Sequence, residues 1–396
     1  MTARPPAPGF AVIALLATLT AFGPMSLDLY LPAFPDIARD FDVDSHAVQL
    51  TFSAALLGLG VGQVVWGPLG DRYGRRGPLV LGIAVYSVAS LLIAVAPSLP
   101  VMVALRFLQA AAGSVGIVLA RAITRDLWRG PDLARALSTI MLVFMVAPIL
   151  APVLGVSVLA VASWPWVFVL LTGFGVVCIV GVLRLPETLP ADRRTDHGVG
   201  GALRQFGTIV RLPGFVPYAV VSALGSVALF TYISSSPAVL MDGFGLSQTV
   251  YAASFAGIAG GIAVGGQANR RMLAVLSPRR VLRGALLVQW LGGLAVLVSA
   301  LTEAPVWVYL PCLAVAIATV IPVNANAVAL AIDPFPHAAA SASALVGGAQ
   351  QVLAGAAVTG LGALALDPSV ATPVGITLAA TLGMVSLTRA HMVGHD

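Results

Sequence analysis

Apolar runs of about 20 residues recur twelve times along the chain. They lie near 9–31, 47–69, 78–97, 100–123, 134–158, 164–184, 214–236, 247–268, 281–301, 305–330, 338–363 and 371–389. About 20 residues is the length a helix needs to cross the hydrocarbon core of a bilayer. The runs show no strict alternation of apolar and polar residues, which argues against a β-barrel. The pattern predicts an all-α membrane protein with twelve transmembrane helices. The longest polar connection, 185–213, separates six runs from six. The expected organisation is therefore a bundle over 1–184, a linker over 185–213 and a second bundle over 214–396, two pseudo-symmetric six-helix halves of the kind built by duplicated transporters. Run one is not read as a cleaved signal peptide, because it is long, contains Asp28 and lacks a small-x-small cleavage site.

Composition strengthens this picture. Of 396 residues, 59% are apolar and only 9% charged, against about 25% charged in soluble domains. A water-soluble globule is excluded. Cys178 and Cys312 both lie in apolar runs, so no disulfide framework is implied. All 21 basic residues are arginine. With the N-terminus inside, nineteen of the 21, from Arg4 through the 270–283 group to Arg389, fall on the inner side. Arg39 alone is outside, together with Asp36, Asp40, Asp42 and Asp44, and Arg106 lies within a span. This bias predicts both termini in the cytoplasm of a multi-pass protein of the cytoplasmic membrane. The net charge of +5 is thus a topology signal, and no nucleic-acid partner is expected. Without lysine there is no P-loop, so this chain does not use ATP. No Cys/His cluster has metal-ligand spacing, and no catalytic set appears. The chain is read as a non-enzyme without a cofactor.

Within the spans two charges stand out. An acid at mid-span costs about 2.5–3.5 kcal/mol on insertion scales, yet Asp28 lies inside run one, a few residues from its outer end. Arg106 lies about six residues from the outer start of run four. At about 1.5 Å per residue both lie within about 9 Å of the outer ends of their runs, so they can share a level. Burial raises a carboxyl pKa and a nearby arginine lowers it, which suits Asp28 to carry a proton. A static Asp28–Arg106 ion pair is the competing reading. The histidines, at 46, 197, 337, 391 and 395, all fall in loops or tails, which leaves Asp28 as the obvious proton-coupling group. Gln109 shares the helix face of Arg106 and is a candidate for the substrate cavity, as are Tyr30, Phe144 and Tyr232. Pro148 and Pro152 each remove a helix hydrogen bond and predict a kink in run five.

Four stretches carry a family resemblance. The inner loop after run two reads Gly67-Pro68-Leu69-Gly70-Asp71-Arg72-Tyr73-Gly74-Arg75-Arg76. Its glycines let two helix ends approach, and Asp71 can face a helix N-terminus or pair with an arginine, as a conformational latch would. Run one ends Ser26-Leu27-Asp28-Leu29-Tyr30-Leu31-Pro32, run four carries Leu105-Arg106-Phe107-Leu108-Gln109, and run five carries Ala147-Pro148-Ile149-Leu150-Ala151-Pro152-Val153-Leu154-Gly155. Together they resemble the major facilitator superfamily, and within it the drug:proton antiporters of the bicyclomycin-resistance and florfenicol/chloramphenicol-efflux branch (Bcr/CflA).

The resemblance implies a proton-coupled, monomeric exporter of small amphipathic drugs such as amphenicols or bicyclomycin, working by alternating access in the lipid bilayer and driven by the proton gradient. It makes Arg106 the group that tunes Asp28, and the Pro148–Pro152–Gly155 stretch an antiporter kink that limits leak. The span-five stretch departs from the usual antiporter form, with Ala151 where glycine is common and Val156 after Gly155. An importer or metabolite exporter of the same fold remains the alternative. A membrane sensor or integral-membrane enzyme would need a signalling domain or catalytic residues that the sequence lacks.

Overall fold

A computed structural model describes residues 9–194, 199–211, 214–334, 339–364 and 366–393. Arg4, His197, His337 and His395 lie outside the described residues. Twelve helical spans cross the membrane: Phe10–Asp40, Ala47–Tyr73, Arg76–Ile93, Leu99–Leu127, Gly130–Leu159, Pro165–Leu183, Phe215–Gly243, Gln248–Met272, Pro278–Leu301, Val306–Ile332, Ser341–Ala363 and Pro368–Thr388. The described residues contain no strand.

Span one corrects the expected boundary. It does not end near residue 31 but continues to Asp40, so Asp36 and Asp40 are helical and not in a loop. Asp28 is therefore twelve residues from the end of the span, deeper than the expected boundary placed it. The sequence hides this extension because prolines interrupt it. Pro24, Pro32 and Pro35 cannot donate to the preceding turn, and the span is built of helices Phe10–Thr20, Phe22–Asp28 and Phe34–Asp40 with a 3-10 turn at Leu31–Ala33. Phe34, Ile37 and Ala38 bury the apolar face of the last piece. Span seven is likewise extended, by a π-helical stretch over Ala238–Gly243.

Within each half the spans pack closely. Spans two and four form the tightest pair, where Gly58 and Gly62 rest on backbone of residues 107 and 111. The halves meet mainly where span two lies along span eleven and span five along span eight. The 185–213 linker is not featureless, since it contains a helix over Val199–Val210 that touches spans two, seven and eleven.

At the opposite, far side the halves are closed on each other. Ser45, just before span two, donates to Asp242 at the end of span seven (2.8 Å). Gln248 of span eight donates to the Pro32 carbonyl (3.4 Å). Phe52 and Phe230 lie with ring centroids 6.2 Å apart.

Candidate functional site

Asp28 is the last residue of helix Phe22–Asp28. Beyond it the α-helical ladder fails, because Pro32 has no N–H for the Asp28 carbonyl and the Ala33 N–H turns to the Tyr30 carbonyl (2.9 Å). The carboxyl is buried, at 3% exposure, and its Oδ1 has no hydrogen-bond partner. The ion pairs among the described residues are Arg39–Asp36, Arg75–Asp71, Arg75–Asp126 and Arg135–Asp132. Asp28 is in none of them.

Arg106 stands beside span one without reaching that carboxyl. Its guanidinium donates to the Ser26 carbonyl (2.8 Å) and to Gln109 Oε1, and it lies over the Tyr30 ring at 4.2 Å from the centroid. Gln109 passes the connection on to Ser90 Oγ (2.6 Å), and Ser26 Oγ donates to the Tyr86 hydroxyl (2.9 Å). Tyr30 closes the group through Thr51 (3.0 Å). Arg106, Gln109 and Tyr30 are fully enclosed. The structure thus joins three of the sequence candidates in one buried network tying spans one to four. Arg106 is level with Ser26, two residues before Asp28. Ser26, Ser90, Tyr86 and Thr51 escaped sequence reasoning, because small hydroxyl residues in an apolar span carry no signal of their own.

Span five runs unbroken from Gly130 to Leu159 through Pro148 and Pro152. Gly155 explains why that helix can lie against the break in span one: a Cβ there would overlap the Leu29 carbonyl oxygen and meet Pro32. The Pro148–Pro152–Gly155 stretch therefore abuts the residue next to Asp28. Phe144, one side of the expected cavity, is half-buried on the same span. Tyr232, on span seven, is buried and stacked on Phe255 of span eight (5.8 Å, 25°).

Three amide side chains inside the C-terminal half pair locally. Gln350 donates to Ser222 (2.6 Å), Asn324 to Ser226 (3.2 Å) and Asn326 to Asn269 (2.7 Å). Gln350 and Asn324 keep part of their surface accessible, while Asn326 is buried.

The 67–76 stretch is mostly not a loop, since span two stays helical to Tyr73, and it is held by acids from two other segments. Arg75 pairs with Asp71 (2.6 Å) and with Asp126 at the end of span four (3.0 Å). Of the two possibilities for Asp71, the structure takes the arginine. The helix N-terminus is served by Glu187, which accepts from the backbone N–H groups of Arg75 (2.9 Å) and Arg76 (3.1 Å) at the start of span three. Arg76 donates to the Leu183 carbonyl (2.5 Å). Gly74 makes the turn at φ +89°, where a Cβ would also strike Glu187. Gly70 packs on Leu119 of span four, Gly67 faces Val118 there, and Arg72 lies over the Tyr73 ring.

Burial raises the Glu187 carboxyl pKa, but the N–H groups of Leu189, Arg75, Arg76 and Thr188 outweigh it and hold the carboxyl below its usual range. For Arg75, burial pulls the guanidinium down and the two aspartates more than compensate, leaving it raised. Asp126 and Glu187 were missed in the sequence. Glu187 had one visible mark, being one of only two glutamates in the chain.

A family model described as Major Facilitator Superfamily matches residues 15–359. The chain is 37% identical over 249 residues to the uncharacterized MFS-type transporter YdgK of Bacillus subtilis; the match spans 62% of each chain, less than two thirds of that relative. It is 29% identical to a bicyclomycin resistance protein homolog of Haemophilus influenzae, over 75% of each chain. The partially occluded, inward-open xylose transporter XylE from E. coli superposes with a TM-score of 0.74 over 96% of both chains, at 10% identity, a likeness of fold alone. The twelve spans, the two halves and the matched residues agree, and the chain belongs to the major facilitator superfamily.

Proposed function

We propose that this protein exports small amphipathic drugs, amphenicol- or bicyclomycin-like, in exchange for protons by alternating access. The arginine-rich side faces the cytoplasm, both termini lie there, and the far side faces outward. The observation that carries the reading is Asp28: a buried carboxyl with an unpartnered oxygen, at a break in span one. The other acids sit in loops or at span ends. A group so placed has two useful states, because water or a donor favours the carboxylate and apolar closure favours the neutral acid. The named resistance relative supports a drug as cargo.

In this scheme the far-side contacts Ser45–Asp242 and Gln248–Pro32 are made while the cytoplasmic side admits drug, and break when the protein turns outward. The Asp71–Arg75–Asp126 group ties spans two, three and four at the cytoplasmic end, so that this end moves as one piece. A proton taken up at Asp28 from outside resets the cycle. Arg106, enclosed in its own network, fixes the position of span one beside that acid.

Proteoliposomes with an imposed pH gradient test the proposal. Labelled chloramphenicol or bicyclomycin should move against its gradient, and the movement should collapse with a protonophore. Accumulation in the same direction as the protons would make the protein an importer. Full gradient-driven transport by Asp28→Asn would remove Asp28 as the carrier.

A further inference from the structure

Asp28 lacks a partner in its own half, and a second buried polar group without one lies in the other half. The Tyr232 hydroxyl of span seven is unpartnered and the residue is 2% exposed. We propose that Tyr232 is the hydrogen-bond donor that serves Asp28 across the interface between the halves, a positioning residue through which the charge of the proton carrier reaches the C-terminal half. The proposal rests on the reading of Asp28 as that carrier.

Several observations bring the two groups together. The 3-10 turn Leu31–Ala33, directly after Asp28, packs on spans seven and eight, and the Gln248–Pro32 hydrogen bond fixes that junction. Asp28 acts electrostatically on Tyr232 and on Tyr251 of span eight. The Tyr251 hydroxyl is already joined to Ser236 Oγ (3.0 Å). Tyr232 is held by its ring against Phe255, so its O–H is the uncommitted donor of the pair.

Helix Phe22–Asp28 packs on spans two, four and five. Span four offers Arg106, whose two terminal nitrogens are committed to Gln109 and Ser26 while its Nε has no partner. Span five offers Gly155, and span two offers Thr51, bonded to Tyr30, and Ser53, whose hydroxyl is unpartnered. Tyr86 of span three is bonded to Ser26, and Tyr309 of span ten, whose hydroxyl is also unpartnered, sets its ring against Phe244.

A buried carboxylate needs a donor, and a neutral carboxyl needs it less. A phenol O–H from span seven therefore binds the charged form more strongly than the protonated form. Gain or loss of the proton then changes the hold between span one and span seven, and with it the hold between the halves.

An infrared titration of the full protein in lipid bilayers, without drug, tests this. The Asp28 carboxyl band is identified by its disappearance in Asp28→Asn. Tyr232→Phe keeps the ring stacking and removes the donor, so the midpoint of that band should move upward by roughly half a pH unit or more, about the worth of one hydrogen bond. Tyr218→Phe, which also removes an unpartnered buried hydroxyl but at the cytoplasmic end of span seven, should leave the midpoint in place. An unchanged midpoint in Tyr232→Phe overturns the proposal. So does an equal shift in Tyr218→Phe, or a shift in Tyr251→Phe alone. If no band is lost in Asp28→Asn, the carrier reading itself falls, which separates the two failures.

Discussion

The two halves share a fold but handle polar groups inside the membrane differently. In the N-terminal half, Arg106, Gln109, Ser90, Ser26, Tyr86, Tyr30 and Thr51 form one enclosed, charged network beside Asp28. In the C-terminal half, Gln350–Ser222, Asn324–Ser226 and Asn326–Asn269 are separate neutral pairs, and charged residues occur only at span ends and in loops. A connected buried network fixes one geometry, since breaking any member strands the others. Isolated neutral pairs, two of them partly accessible, can exchange partners at low cost. We propose that this difference places coupling in the first half and contact with varied cargo in the second.

The largest expected effect is on coupling. Asp28→Asn should lower gradient-driven drug efflux at least tenfold in proteoliposomes, while Asn324→Leu should change the order of preferred drugs and leave the pH dependence in place. Should Asn324→Leu displace the pH profile as far as an N-terminal variant does, the division of labour is wrong. Next comes stability. Arg106→Ala strands Gln109 and empties a fully enclosed site, at a cost of about 3 kcal/mol. Gln350→Leu, which breaks one neutral pair, should cost about 1 kcal/mol. Thermal unfolding in the same detergent would compare them, and equal losses would deny the network its special standing.

Gly155→Ala probes the seam. The added methyl meets the Leu29 backbone, which cannot swing aside as a side chain would, so overpacking of about 2 kcal/mol and a drug-independent proton leak are expected. Gly257→Ala in span eight, with nothing within 4 Å of the new Cβ, is the matched control.

The smallest effect belongs to Glu187. Its carboxyl is held below the usual range, so its contribution is complete at neutral pH and above the ordinary glutamate value of about 4.3. It is lost as the pH falls through the depressed value. The group is partly exposed, and solvent limits the contribution to about 1 kcal/mol or less. Glu187→Gln should lower the unfolding temperature slightly at pH 7 and erase the difference from wild type in strong acid.

Much of this architecture is legible one residue at a time. A helix must satisfy its own backbone in lipid, so a run of 20 apolar residues admits few other structures, and the twelve spans follow. Motif residues such as Asp71 and Arg75 are conspicuous because charge is scarce. The extension of span one to Asp40 was not legible, since Pro32, Pro35 and two aspartates look like the start of a loop, and only the burial of Phe34 and Ile37 keeps that segment helical. Nor was the surrounding of Arg106, whose partners Ser26, Ser90 and Tyr86 come from spans one and three.

Sequence alone determined the number of spans, the division into halves, the arginine asymmetry and the singling out of Asp28 and Arg106, because each follows from the cost of placing polar or charged groups in hydrocarbon. Tertiary structure alone decided that these two residues do not form an ion pair. Arg106 is taken up by its own half, and the Asp28 Oδ1 is left without a partner. Which donor a buried group finds depends on what the neighbouring helices bring within about 3 Å, and that is a property of packing and not of order along the chain.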